Sequence, residues 1–148
     1  MIKNIAVIAA LIIAIVIETS FISSLPDPLC CVPLVLALAV YLIQYRGSKL
    51  GTWWLAGYGF YLDYMQIGIW PVETLIWLVI GILSWLLSQR LFTNRSLYGI
   101  LSCGLFAFFL SNILHLTFFY PQTLWELLFL ILSLSVLSYL SDKIKKII

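Results

Sequence analysis

Apolar residues run through most of this chain in six long stretches, separated by short polar or proline-containing breaks. The stretches cover residues 5–21, 29–45, 50–65, 72–87, 97–119 and 124–140. The breaks contain helix-breaking or charged residues: Pro26 and Pro28, YRGSK at 45–49, Gly68 and Pro71, SQRLFTNRS at 88–96, and Pro121. Since about 20 apolar residues can cross a bilayer as a helix, the pattern predicts an all-α, six-helix transmembrane bundle. Spans three and four are short, and a re-entrant pair is the alternative there.

The composition agrees with a membrane location. Of the 148 residues, 64% are hydrophobic and 9% are charged, whereas about one quarter of a soluble domain is charged. The mean hydropathy is +1.12. Six spans leave almost no residues for a soluble part, so residues 1–148 are predicted to form a single transmembrane domain. The expected partners are the lipid bilayer and other membrane proteins, and not nucleic acid.

The charged residues sort to two sides when successive breaks are assigned to alternate faces of the membrane. All eight basic residues then share one side: Lys3, Arg46, Lys49, Arg90, Arg95, Lys143, Lys145 and Lys146. Of the six acids, only Asp142 joins them. By the positive-inside rule, this sorting predicts a multi-pass protein with both termini in the cytoplasm.

Polar residues inside the spans are predicted to form a layer toward the extracytoplasmic side. Asp63 follows the start of its span by 13 residues, as Glu18 does, which places both about 20 Å into a core about 30 Å thick. Asn112 and His115 come to the same level late in span five. Ionisable groups at this depth are candidates for a functional site, although hydrated residues near helix ends are the alternative.

Asp63 is preceded by Gly57 and Gly59 and followed by Gly68. The glycines remove side-chain bulk, so the carboxylate can approach a neighbouring backbone or sit in a small wet pocket. It is expected to face the bundle and not lipid. We expect it to form hydrogen bonds with a tyrosine, with Asn112 or with His115.

Span one carries small residues four apart, at Ala6, Ala10 and Ala14, and Glu18 is the next step of this series. Small residues at this spacing let helix backbones approach closely. The stripe is therefore a candidate helix-packing face, either inside the bundle or against a different membrane protein.

Catalytic motifs are absent from the sequence. The sole histidine cannot form a paired-histidine metal site, and no nucleophile-elbow or phosphate-loop motif occurs. The spacing of Cys30, Cys31 and Cys103 does not match a metal-ligand pattern, so they are interpreted as small apolar residues. We therefore expect a protein that is not an enzyme and needs no metal or cofactor.

Several motifs resemble the MreD family of bacterial rod-shape proteins. They are LPDP at 25–28, YRGSK at 45–49, GYGFYLDYMQIG at 57–68 and RLFTNRSLYGIL at 90–101. The family's glycine-rich third helix and its acid correspond here to Gly57, Gly59, Asp63 and Gly68. The resemblance implies a non-enzymatic subunit of the cell-wall elongation machinery in the bacterial cytoplasmic (inner) membrane. Its partners would be an MreC-like protein, cytoskeletal MreB and the peptidoglycan-synthesising pair.

A second resemblance is to the substrate-binding S components of energy-coupling-factor vitamin transporters, which are also small six-helix proteins. Their first helix carries an alanine face similar to Ala6, Ala10 and Ala14. In such a protein the polar layer of Glu18, Asp63, Asn112 and His115 would line a pocket open to the outside. A co-purifying metabolite, as opposed to a partner protein, distinguishes this function from the first.

The one-sided placement of the basic residues generates a prediction about topology. Because both termini are expected in the cytoplasm, green fluorescent protein fused to either terminus should fluoresce, and alkaline phosphatase fused there should be inactive. Active phosphatase at either terminus contradicts the predicted topology.

Overall fold

The computed structural model describes residues 2–27, 29–46, 49–66, 71–91, 97–115 and 122–147, and this part of the chain is helical without any strand. Each predicted apolar stretch overlaps one α-helix. The six helices are α1 (Ile2–Val16), α2 (Leu34–Arg46), α3 (Leu50–Gln66), α4 (Val72–Arg90), α5 (Leu97–His115) and α6 (Gln122–Ile147). The all-α class and the number of helices predicted from the sequence are confirmed.

The helix bounds differ most from the predicted ones around the first turn and at the end of α6, which continues past residue 140 to Ile147. After α1 the chain continues as a π-helical turn over Ile17–Phe21 and a 3₁₀ turn over Ile22–Ser24. The second stretch opens with another 3₁₀ turn, Leu29–Cys31, so that α2 begins only at Leu34. Pro33 directly precedes α2, and a proline without an N–H group is compatible with a helix start.

Among the described residues, three helices are long and apolar enough to cross a membrane: Val72–Arg90, Leu97–His115 and Gln122–Lys143. Two shorter apolar helical stretches cover Ile8–Ser24 and Leu29–Gln44. Large apolar side chains project from the surface, and Trp53, Phe60 and Leu132 are each more than 60% exposed. Such a surface is costly in water and favourable in lipid, so the protein is a membrane protein.

Helix α2 lies at the centre of the bundle and packs against α1, α3, α4, α5 and α6. Val35, Ala37, Val40 and Ile43 on this helix have no exposed surface. The sequence of α2 is apolar on every side, as expected of a helix surrounded by others. The core of the protein is therefore built around α2.

Helices α3 and α4 form a close hairpin because glycines lie at both ends of their contact. A Cβ atom added at Gly59 would lie 2.6 Å from the backbone oxygen of Glu73. One added at Gly81 would lie 3.0 Å from a methyl carbon of Thr52. Thr52 also donates a 3.2 Å hydrogen bond from Oγ1 to the carbonyl of Gly81. Two backbones can approach this closely only where side chains are missing.

The predicted alanine stripe on α1 divides between the interior and the surface. Ala14 is buried in the core and Ala10 is exposed, while the side chain of Ala6 lies outside the described part. Each step of four residues turns a helix about 40° past a full circle, so the stripe drifts around α1. Ala14 thus packs within the bundle, and Ala10 is open to lipid or to another protein.

The two glycines that precede Asp63 should differ in their tolerance of a side chain. Gly59→Ala should lower the free energy of unfolding by about 1–3 kcal/mol, because the added methyl group meets the backbone of α4. Gly57→Ala is the matched control, since its Cβ would meet only a flexible end of Leu11, at 3.1 Å. Thermal unfolding of both variants in detergent measures the difference. Equal melting temperatures would contradict the close contact of α3 and α4.

Candidate functional site

We call one end of the bundle the acidic end, after Glu18, Asp63, Glu73 and Glu126. Here α1 and α3 finish, and α2 and α4 begin. The first amides of a helix have no partner within the helix, and an unpaired N–H is costly where water is scarce. The side chains at the acidic end supply several of the missing partners.

Glu18 accepts hydrogen bonds from the first turn of α2. Its Oε2 lies 2.6 Å from the backbone nitrogen of Val35, although the two residues are 17 positions apart. Its Oε1 accepts a 2.9 Å hydrogen bond from the hydroxyl of Tyr58 on α3. Glu18 itself belongs to the π-helical turn that ends α1. One carboxylate therefore joins the end of α1, the start of α2 and the middle of α3.

Asp63 performs the same task for α4. Its two carboxylate oxygens accept hydrogen bonds from the backbone nitrogens of Glu73 and Thr74, at 2.9 and 2.8 Å. The hydroxyl of Thr74 adds a third hydrogen bond, at 2.5 Å. Pro71, directly before the helix, offers no side chain that could cap it. A negative charge is also favoured at the positive end of the helix dipole.

The prediction that Asp63 faces the bundle agrees with this arrangement, but its expected hydrogen-bond partners were wrong. Asp63 bonds to the start of α4 and not to a tyrosine, Asn112 or His115. The amide of Asn112 donates instead to the carbonyl of Phe108 in its own helix, at 3.0 Å. The first amides of α4 have no acceptor within their own helix, so the carboxylate of Asp63 pairs with them.

His115 pairs with Glu73, a contact that the sequence did not predict because the residues are 42 positions apart. Nε2 of the imidazole lies 2.9 Å from Oε2 of Glu73, and Nδ1 lies 2.9 Å from the carbonyl oxygen of Ser111. A carbonyl oxygen only accepts, so Nδ1 carries a hydrogen. The contact between Nε2 and Oε2 joins α5 to α4.

A cavity of about 290 Å³ lies at the acidic end, and its lining includes Glu18, Asn112, His115 and Glu126. The structure therefore brings together three of the predicted site residues, namely Glu18, Asn112 and His115. Asp63, Gly57 and Gly59 lie outside the lining: Gly57 is beside Leu11 of α1, and Gly59 is against α4. Gly68 falls outside the described residues.

Aromatic rings form one wall of this cavity. Tyr58 and Trp77 meet edge to face with their ring centroids 5.2 Å apart. The ring of Trp77 also lies 5.8 Å from the imidazole of His115. The lining therefore combines acidic side chains, Glu18 and Glu126, with these aromatic rings.

The turn between α1 and α2 holds a group of possible metal ligands that the sequence analysis missed. Ligand atoms of Asp27, Cys30 and Cys31 all lie within 4.8 Å of one another. Sequence spacing gave no signal because Cys30 and Cys31 are adjacent and Asp27 belongs to the preceding loop. Only the folded turn brings the three side chains to one place.

Comparison of the chain with protein-family models, with curated proteins and with solved structures finds no match in any of the three. The fold and site together define a helical membrane protein with a partly polar cavity at one end of its bundle.

The cap at α4 generates a prediction that separates the hydrogen bonds of Asp63 from its charge. Asp63→Leu leaves two amides of α4 without their acceptor and should lower the free energy of unfolding by about 1–2 kcal/mol. Asp63→Asn should cost less, because an amide oxygen can still accept one of the bonds. Glu126→Gln is the control, since it changes a cavity carboxylate on a different helix. Melting temperatures in detergent test the order; an unchanged value for Asp63→Leu would contradict a capping role.

Proposed function

We propose that the chain is a six-span protein of the bacterial cytoplasmic membrane, with both termini in the cytoplasm, and that it acts as an MreD-like subunit of the cell-wall elongation complex. In this role it catalyses no reaction and works by helix-helix association with partner membrane proteins. An MreC-like protein is the first partner to test.

The observation that carries this proposal is the structural role of the motif at residues 57–68. Gly59 allows the close contact of α3 with α4, and Asp63 caps α4. The conspicuous acid of the motif is thus fully engaged in holding two helices together. An acid that holds two helices together favours a scaffold that binds partners through its shape over a reaction centre.

The position of α1 adds support. Ala14 and Ile15 of this helix belong to the core, whereas Ala10, Ile12 and Ile13 are exposed. A peripheral helix with a small residue on its outer side provides a place where the backbone of a partner helix can approach closely.

The test compares substitutions of matched kind on α1 and α6. Ala10→Leu should leave the melting temperature close to that of the wild type, because the residue is exposed, but should reduce co-purification of the MreC-like protein and rod-shaped growth. Leu132→Phe adds bulk at an exposed site of α6 and should change neither. Ala14→Leu reports internal packing and should destabilise the protein by about 1–3 kcal/mol. If Ala10→Leu retains partner and cell shape at normal abundance, α1 is not the docking helix.

A second function, that of a substrate-binding S component, is favoured by one specific observation. The cavity at the acidic end has a volume of about 290 Å³, close to the lower limit for small-molecule sites, and its lining is both acidic and aromatic. Native mass spectrometry of the purified protein should then detect a bound small molecule, and Glu126→Gln should weaken its binding. Retention of an MreC-like protein without such a ligand supports the first function instead.

A further inference from the structure

The turn between α1 and α2 places two thiols and a carboxylate side by side. The Sγ atoms of Cys30 and Cys31 are 3.7 Å apart, and Sγ of Cys30 lies 2.8 Å from Oδ1 of Asp27. Both cysteines are free thiols, since the sulfurs of a disulfide would be only about 2.05 Å apart. The 3₁₀ turn Leu29–Cys31 holds the cysteines, and the backbone nitrogen of Leu29 donates to the carbonyl of Pro26, at 2.9 Å.

The spacing of the sulfurs matches a tetrahedral metal ion. Two thiolates at about 2.3 Å from a zinc ion, separated by the tetrahedral angle, lie about 3.8 Å from each other. The observed 3.7 Å therefore needs almost no adjustment. A carboxylate oxygen bound to the same ion would lie about 3.6 Å from each sulfur. In the structure Oδ1 of Asp27 lies 2.8 Å from Sγ of Cys30, closer than this. Asp27 is exposed, so its side chain can rotate outward to the longer distance.

The donor atoms indicate which ion would bind. Two thiolate sulfurs and one carboxylate oxygen favour zinc and similar thiophilic ions over magnesium or calcium, which prefer oxygen ligands. The three deprotonated ligands carry a formal charge of three negative units, which a divalent cation largely compensates. Binding releases the thiol protons to solvent.

The position of the group suggests a role beyond binding. Cys30 and Cys31 line the cavity that also contains Glu126 and His115, while Asp27 lies outside its lining. We propose that Asp27, Cys30 and Cys31 form a metal site that binds one zinc-like thiophilic ion at the edge of this cavity. The ion fixes the turn between α1 and α2 and presents its remaining coordination position to the cavity. This inference does not depend on either proposed function.

The test uses the full-length protein in detergent with a phosphine reductant that keeps the thiols reduced. After dialysis against zinc, the wild type should retain one zinc per chain by elemental analysis, and its melting temperature should rise with the zinc concentration. The double variant Cys30→Ala, Cys31→Ala should lose both effects. Asp27→Asn should weaken zinc binding by at least about tenfold. Loss of a residue that only hydrogen-bonds to a metal ligand already has an effect of this size.

Cys103 supplies the matched control, because it is a buried cysteine on α5 and not part of the proposed site. Its Sγ lies 3.8 Å from the carbonyl oxygen of Ser84. Cys103→Ala should therefore bind zinc as the wild type does. If the double variant does not fold, cobalt binding to the wild type gives an independent answer, since two thiolate ligands produce an intense charge-transfer absorption. Zinc retained equally by the folded double variant, or cobalt bound without this absorption, would overturn the proposal.

Discussion

Backbone amides at the start of a helix must find acceptors, and in a bilayer water supplies few of them. This constraint governs the acidic end of the molecule. Glu18 accepts from the first turn of α2, and Asp63 accepts from the first turn of α4. Each carboxylate comes from the end of the preceding helix, so each cap also closes a helical hairpin. The charge of the acid and the unpaired amides would be costly separately, and each compensates the other.

The caps depend on how closely the helices approach. Asp63 reaches α4 because Gly59, four residues earlier on α3, lets the two backbones come together at Glu73. Gly81 continues the same contact toward the other end of α4, against Thr52. Hydrogen bonding and backbone approach thus support each other along a single hairpin. Loss of either would move the acid away from the amides that it pairs with.

The same end of the bundle also contains ionisable groups that cap no helix. Glu73 and His115 lie 2.9 Å apart and join α4 to α5. Glu126 lines the cavity, beside which the thiols of the first turn lie. Structural and potential binding groups therefore occupy adjacent positions, and a ligand in the cavity would contact the elements that order the helix ends.

By itself, the sequence determined the class of the protein and the number of its helices. In a bilayer an apolar stretch must satisfy its own backbone hydrogen bonds, and a helix does so using only neighbouring residues. The sequence also identified Glu18 and Asp63 as polar residues that need partners, because their cost depends on depth along the span. These properties are local, so pattern and length were sufficient to predict them.

Only the tertiary structure decided which partners these residues have. The amides whose hydrogen bonds Asp63 accepts and the pairing of His115 with Glu73 depend on how the helices pack. The approach of Asp27 to the two adjacent cysteines depends on the conformation of the turn between α1 and α2. The division of the alanine stripe likewise followed from the position of α1 against its neighbours. Side-chain hydrogen bonds act over about 3 Å, whereas helix packing moves groups by many times that distance. Contacts between residues far apart in the chain therefore had no signal in the sequence pattern.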